Sequence, residues 1–273
     1  MKITFYGVRG SLPVCSREFI RYGGNTSSML YEFDDGSVGI LDAGTGIVQL
    51  GKDLIQSKRI EKEVWIAFTH FHWDHIQGFP FFRPAYDPRL IIRMLAIGQE
   101  RKNMDVRSLF EAQMQTAFFP VPLGKMGAKF MFEYMNYNEL EWRGHKVKIQ
   151  KHNHPGMAYS FRFDLPNKRS FAVCTDIEHG EGLDEDIIQL VEGVDVLVHD
   201  GQYTPDELVD KKGWGHSSWK QCTELARLAG VKDLYITHHD PDHDDDFLDE
   251  IQRQARGEFA RTTLAREGMQ IIL

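Results

Sequence analysis

Cysteine is scarce in this chain, with three among 273 residues: Cys15, Cys174 and Cys222. So sparse and odd a set cannot build a disulfide framework, and it predicts a reducing, cytoplasmic setting. Long apolar runs are missing too. No stretch of about eighteen residues suits a membrane-crossing helix, so no membrane association is expected. The opening MKITFYGVRGS lacks the basic and apolar pattern of a secretory leader. No internal repeat or low-complexity linker is visible, which predicts a single domain over 1–273. Positive charge is in deficit, with a formal net charge of −8. That disfavours broad binding to long nucleic acid but leaves a small anionic substrate open, because local charge can override the global balance.

What is present is an ordinary globular composition, 42% hydrophobic and 26% charged. Strands are expected at Lys2–Tyr6, Ser28–Phe33, Val38–Leu41 and Val64–Thr69, with a helix from the Asp42-Ala43-Gly44-Thr45-Gly46 turn to about Ser57. Phe79 to about Tyr134, rich in Phe and Met, reads as an inserted segment. It would wall the site or supply a helix near Asp105–Phe118 packed on a sheet. Further strands follow at Lys146–His152, Ser160–Leu165, Ser170–Thr175, Asp195–His199, Asp233–Thr237 and Met269–Leu273. Helices are expected at Asp184–Val191, Ser217–Ala229 and Asp246–Ala265. Two groups of strands, each followed by helices, predict two packed sheets with helices outside.

The strongest local signal is His70-Phe71-His72-Trp73-Asp74-His75, delivered by a strand into a loop. Imidazole and carboxylate suit zinc, and also manganese or iron. On a tight loop, His70 and His72 would face one ion, and Asp74 and His75 a second. Three further blocks end strands: His152-Asn153-His154-Pro155-Gly156, Cys174-Thr175-Asp176 and Thr237-His238-His239-Asp240. In residue type and order these resemble the metallo-β-lactamase superfamily, from Asp42 to His238. The resemblance implies an α/β fold, a four-layer αββα sandwich. It also implies two divalent ions, one held by His70, His72, His154 and Asp176, the other by Asp74, His75, His238 and the bridging Asp176. Asp42 would hold the metal loop rather than a metal. His152 is expected beside the ligands or exposed. His238 is preferred to His239 because it directly follows the strand. His145, His179 and His243 are expected at the surface, and Cys174 in a buried strand.

Four positive charges from two such ions exceed what Asp74, Asp176 and a bridging hydroxide remove, so the site would favour an anion. Asp195-Val196-Leu197-Val198-His199-Asp200-Gly201 and Gly215-His216-Ser217-Ser218 resemble ribonuclease Z and its phosphodiesterase relatives, including the phosphoribosyl cyclic phosphodiesterases. That likeness implies that His216 donates a proton to the departing oxygen or anchors phosphate, with Asp200 orienting it. Asp74 joins them as a catalytic group, and Ser217 as a substrate contact. The chain departs from ribonuclease Z where Asp200-Gly201-Gln202 fills the His-Glu-Ala-Thr block. The acidic run Asp240-Pro241-Asp242-His243-Asp244-Asp245-Asp246 would repel a polyanion, or is simply a solvated charged stretch.

Gly7-Val8-Arg9-Gly10-Ser11-Leu12-Pro13 and Tyr22-Gly23-Gly24-Asn25-Thr26-Ser27 resemble a bacterial subgroup labelled as cyclic-phosphate or cyclic-nucleotide phosphodiesterases. There Arg9, Asn25 and Thr26 would approach a phosphate, unless the blocks are turn chemistry alone. The expected activity is hydrolysis of a small cyclic phosphodiester, a 3′,5′-cyclic nucleotide being the form named, by a hydroxide bridging the two ions. The alternatives are an ester, thioester or lactam hydrolase, a transfer-RNA 3′-end endonuclease, and a non-catalytic metal-bound sensor. The resemblance also suggests a homodimer.

Overall fold

Alternation along Glu63–Phe68 sets the layering. Val64, Ile66 and Phe68 are buried in one apolar cluster, while Trp65 and Ala67 pack on another. Successive strand residues point to opposite faces, so a strand apolar on both faces needs cover on both. The computed structural model describes residues 1–58, 62–98, 105–135, 138–142 and 144–273. Its first sheet contains β1 (Lys2–Gly7), β2 (Ser28–Glu32), β3 (Val38–Leu41), β4 (Glu63–Phe68), β5 (Ile91–Ile97), β6 (Lys129–Met135) and β14 (Gln270–Ile272), in the order β14-β1-β2-β3-β4-β5-β6. The second contains β7 (Glu139–Trp142), β8 (His145–His152), β9 (Ala158–Asp164), β10 (Ser170–Cys174), β11 (Val196–Asp200), β12 (Asp233–Thr237) and β13 (Thr262–Leu264), in the order β13-β12-β11-β10-β9-β8-β7.

The two sheets share one pairing pattern. Antiparallel neighbours run from β14 to β3 and from β7 to β10. Parallel neighbours run from β3 to β6 and from β10 to β13. The residues do not repeat, but the topology does. One apolar cluster fills the space between the sheets. A second lies under α1 (Ile47–Gln56) and α3 (Val106–Gln113), and a third under α4 (Glu185–Val191), α6 (Trp219–Leu228) and α7 (Asp245–Glu258). The result is the expected four-layer αββα sandwich.

Two expectations need correction, and one helix is an addition. Where it is described, the segment 79–134 is part of the sheet framework and not an insertion. It supplies β5 and β6, full members of the first sheet, and α3 between them buries Val106 and Phe110 against that sheet. Residues 99–104 of that segment lie outside the described residues. The last helix stops at Glu258, and Thr262–Leu264 becomes an edge strand beside β12. A helix at Pro205–Asp210 (α5) was not anticipated, although Thr204 and Glu207 form a capping box with proline at the first turn. Among the described residues, no helix is long and apolar enough to cross a membrane.

Candidate metal centre

The loops following β3, β4, β10, β11 and β12 meet at the carboxyl ends of the parallel strands, where open α/β sheets commonly place ligands. Immediately after β3, Asp42 has a φ of 61° and turns its carboxylate back into the fold. It accepts bonds from the Thr69 amide and hydroxyl, both at 2.8 Å, and from His75 Nδ1 at 2.9 Å. Asp42 thus braces the His70–His75 loop. A short helix, α2 (Trp73–Ile76), places Asp74 and His75 on its buried side.

All seven expected ligand residues converge. Ligand atoms of His70, His72 and His154 lie within 4.8 Å of one another, as do those of Asp74, His75, Asp176 and His238. Asp176 stands between the groups, its oxygens 3.1 Å from His75 Nε2, 3.2 Å from His238 Nε2 and 3.7 Å from His70 Nε2. The outer ring nitrogens are mostly held. His70 Nδ1 lies 3.1 Å from Thr69 Oγ1. His154 Nδ1 donates to the Gly215 carbonyl at 2.9 Å, and His238 Nδ1 to Gln202 Oε1 at 3.0 Å. These bonds hold the outer nitrogens and turn each Nε2 inward. His70 Nε2 is buried without a hydrogen-bond partner, and one Asp176 oxygen meets only the His75 ring, at 3.1 Å and outside hydrogen-bond geometry. Orphaned inward-facing acceptors of these types are what divalent cations satisfy, so the residues fit such ions.

Electrostatics separate the two groups. Burial pushes the His70, His72 and His154 imidazoles down, toward the neutral form that ligates. Burial opposes the charged form of His75 and His238 as well, but the carboxylates of Asp176 and Asp74 outweigh it. His75 is raised well above its ordinary range and His238 to about 10. Burial would raise Asp74 and Asp176, yet the adjoining imidazoles hold both well below the usual carboxylate range.

Beside the cluster, His216 Nδ1 lies 2.8 Å from Asp200 Oδ2 and 4.0 Å from Asp176 Oδ1. The His216 ring stacks on His238 with centroids 4.9 Å apart. The expected substrate contacts fare differently. Arg9 is fully buried; its guanidinium donates to the carbonyls of Gly23, Asp240 and His243 and packs over Phe19. Asn25 is held by Glu267 at 2.6 and 3.0 Å. The Thr26 hydroxyl accepts from the Thr45 amide and from Gln77, and the Ser217 hydroxyl donates to the Ile177 carbonyl at 2.6 Å. All four side chains are engaged within the fold, and Arg9, Thr26 and Ser217 are fully buried. The acidic run is also structural in part, since Asp244 caps α7 and Asp245 accepts from the Arg21 and Tyr22 amides.

Several histidines are corrected. His145, His179 and His243 are buried, not surface residues. His243 pairs with Glu207 at 2.8 Å, His145 packs on Phe33, and His179 stacks on His199. His239 bonds the Ala265 carbonyl, away from the cluster, and Cys174 is buried in β10. Other neighbours of the site were not foreseen. The Ser11 amide donates to Asp74 Oδ2 at 2.8 Å, and Gln202 holds His238. Gly10 and Gly215 sit where a Cβ would lie 2.3 Å from His238 Nδ1 and 2.2 Å from His154 Nδ1.

Comparison with known proteins places this geometry in context. The pattern of the Beta-lactamase superfamily domain matches residues 40–239. The chain is 23% identical to a protein named ribonuclease Z from Haloarcula marismortui, across 99% of this chain and 96% of that one. Among solved structures, the short form of human tRNase Z aligns with a TM-score of 0.69 at 18% identity, covering 100% of this chain and 99% of the other. A diphosphatase from the PhnP family aligns with a TM-score of 0.71 at 20% identity, covering 100% and 97%. At these identities the solved structures speak for the fold alone.

Proposed function

The chain belongs to the metallo-β-lactamase superfamily of metal-dependent hydrolases, and from that premise we propose that it hydrolyses a small cyclic phosphodiester, a 3′,5′-cyclic nucleotide being the first form to test. The observation that carries this reading is the His216–Asp200 pair at 2.8 Å beside the ligand cluster. His70, His72 and His154 would hold one cation, and Asp74, His75 and His238 a second, with Asp176 between them. Divalent ions bound there would supply Lewis-acid stabilisation of charge on a phosphoryl oxygen and a water of lowered pKa. Asp200 fixes the His216 ring with Nδ1 as donor, so Nε2 is the atom that can hand a proton to a leaving alkoxide. The Ser11 amide holds Asp74 in place.

The test is turnover by metal-reconstituted protein on cyclic and linear phosphodiesters, bis-p-nitrophenyl phosphate included, beside a chromogenic lactam and a thioester. The reading expects phosphodiesters to be favoured. Preference for the lactam or thioester would overturn it. Ribonuclease names among the relatives support a second reading, cleavage of transfer-RNA 3′ ends. A precursor transfer RNA in the same panel separates the two. The net charge of −8 weighs against that polyanion.

A further inference from the structure

We propose that His152, which belongs to none of the ligand groups found among the described residues, is a positioning residue that sets the bridging carboxylate of Asp176. Asp176 has a φ of 58°, a left-handed conformation that a non-glycine residue keeps only when its surroundings enforce it. His152 Nε2 lies 3.0 Å from the Asp176 carbonyl. A carbonyl can only accept, so Nε2 carries the proton and Nδ1 is left as an acceptor. The Ser160 hydroxyl, fully buried in the adjacent strand, donates to that Nδ1 at 2.8 Å.

The chain Ser160–His152–Asp176 therefore has one direction and one tautomer. A second tie runs beside it, where the Glu178 amide donates to the Asn153 carbonyl at 3.0 Å. Two residues after His152, His154 turns its own Nε2 into the cluster. One strand end thus supplies a ligand-type imidazole and holds the backbone of the bridging carboxylate. That fixes the spacing between them, as groups behind a metal ligand commonly do.

This inference rests on reading Asp176 as a ligand. The test measures the zinc dissociation constant by chelator competition for His152→Phe, His152→Gln, Ser160→Ala and Asp176→Asn. Thermal unfolding of each metal-free variant and the 15N shifts of the His152 ring accompany it. His152→Phe is expected to weaken zinc binding about 10- to 100-fold. His152→Gln, whose amide can donate to the same carbonyl, should recover most of that loss. Ser160→Ala should weaken binding several-fold, and the ring proton should sit on Nε2. Wild-type zinc affinity in a folded His152→Phe protein overturns the proposal; if that variant does not fold, wild-type affinity in Ser160→Ala does so. A proton on Nδ1 overturns it too. Undiminished binding in Asp176→Asn would instead remove Asp176 from the ligand set, a distinct failure.

Discussion

His75 and His238 face each other with their Nε2 atoms 3.3 Å apart, and each is also within reach of Asp74 and Asp176. Buried carboxylates draw both imidazoles toward the protonated form, His238 to about 10. A cation entering this group must displace those protons. Zinc titration of metal-free protein at pH 7, in two buffers of different ionisation enthalpy, should therefore release on the order of one to two protons when this group is filled. Affinity should fall as pH is lowered. A proton count of zero would contradict the charge arrangement described for the cluster.

His216 is expected to act on the substrate and not on the metal. Replacing it by Ala should lower kcat by about 10²- to 10⁴-fold, the range for loss of a general acid. Metal content measured by atomic emission should stay unchanged. Asp200→Asn leaves the imidazole in place but weakens its orientation, so a smaller loss is expected. His216 also lies within 4.8 Å of ligand atoms of His154 and Asp176. Loss of metal in His216→Ala would therefore make it a ligand.

What the sequence reveals of this site follows from how local each signal is. Four ligand-type residues within His70–His75 are visible at once, and His154, Asp176 and His238 stand out because each follows a strand. The atoms that hold them are hidden. The Gly215 carbonyl on His154 and the Ser11 amide on Asp74 are backbone groups 61 and 63 residues away. Arg9 looks like an anion contact until three backbone carbonyls are seen around it. In the segment 79–134, β5 was obscured because its apolar run is too short to separate strand from buried helix by periodicity. His243 misled because polar residues are usually exposed unless partnered, and its partner Glu207 lies 36 residues away.

Gly10 makes a sharper test of how tightly the N-terminal loop is fitted to the cluster. A Cβ there would stand 2.3 Å from His238 Nδ1 and 2.8 Å from Gln202 Oε1. Gly10→Ala must shift the loop or break the Gln202–His238 bond. Overpacking of this kind costs about 1–3 kcal/mol. The expected result is a lower unfolding midpoint together with weaker zinc binding in chelator competition. Reduced stability with unaltered zinc binding would show that the loop tolerates displacement without moving His238.

The pH dependence of stability follows from two opposed sets of imidazoles. Burial lowers His179 and His239 to about 3 and His152 to about 4, while unfolded histidine titrates near 6.5. Their contribution is full above about pH 6.5 and is lost as pH falls toward 3, because the unfolded chain takes up protons the folded one refuses. Each such proton is worth about 1.4 kcal/mol per pH unit. His75 and His238 have the opposite sign. Their raised values give a contribution present below about 6.5 and lost as pH climbs through each raised value, about 10 for His238. Metal-free protein should therefore be most stable near pH 6.5, as read from urea midpoints between pH 4.5 and 9.5. His239→Gln, which can still donate to the Ala265 carbonyl, should flatten the acid limb and leave the alkaline limb alone. Zinc-loaded protein should lose the alkaline limb, since the ions replace the protons on which it depends. An acid limb unchanged by His239→Gln would mean that this imidazole is not kept neutral by the fold.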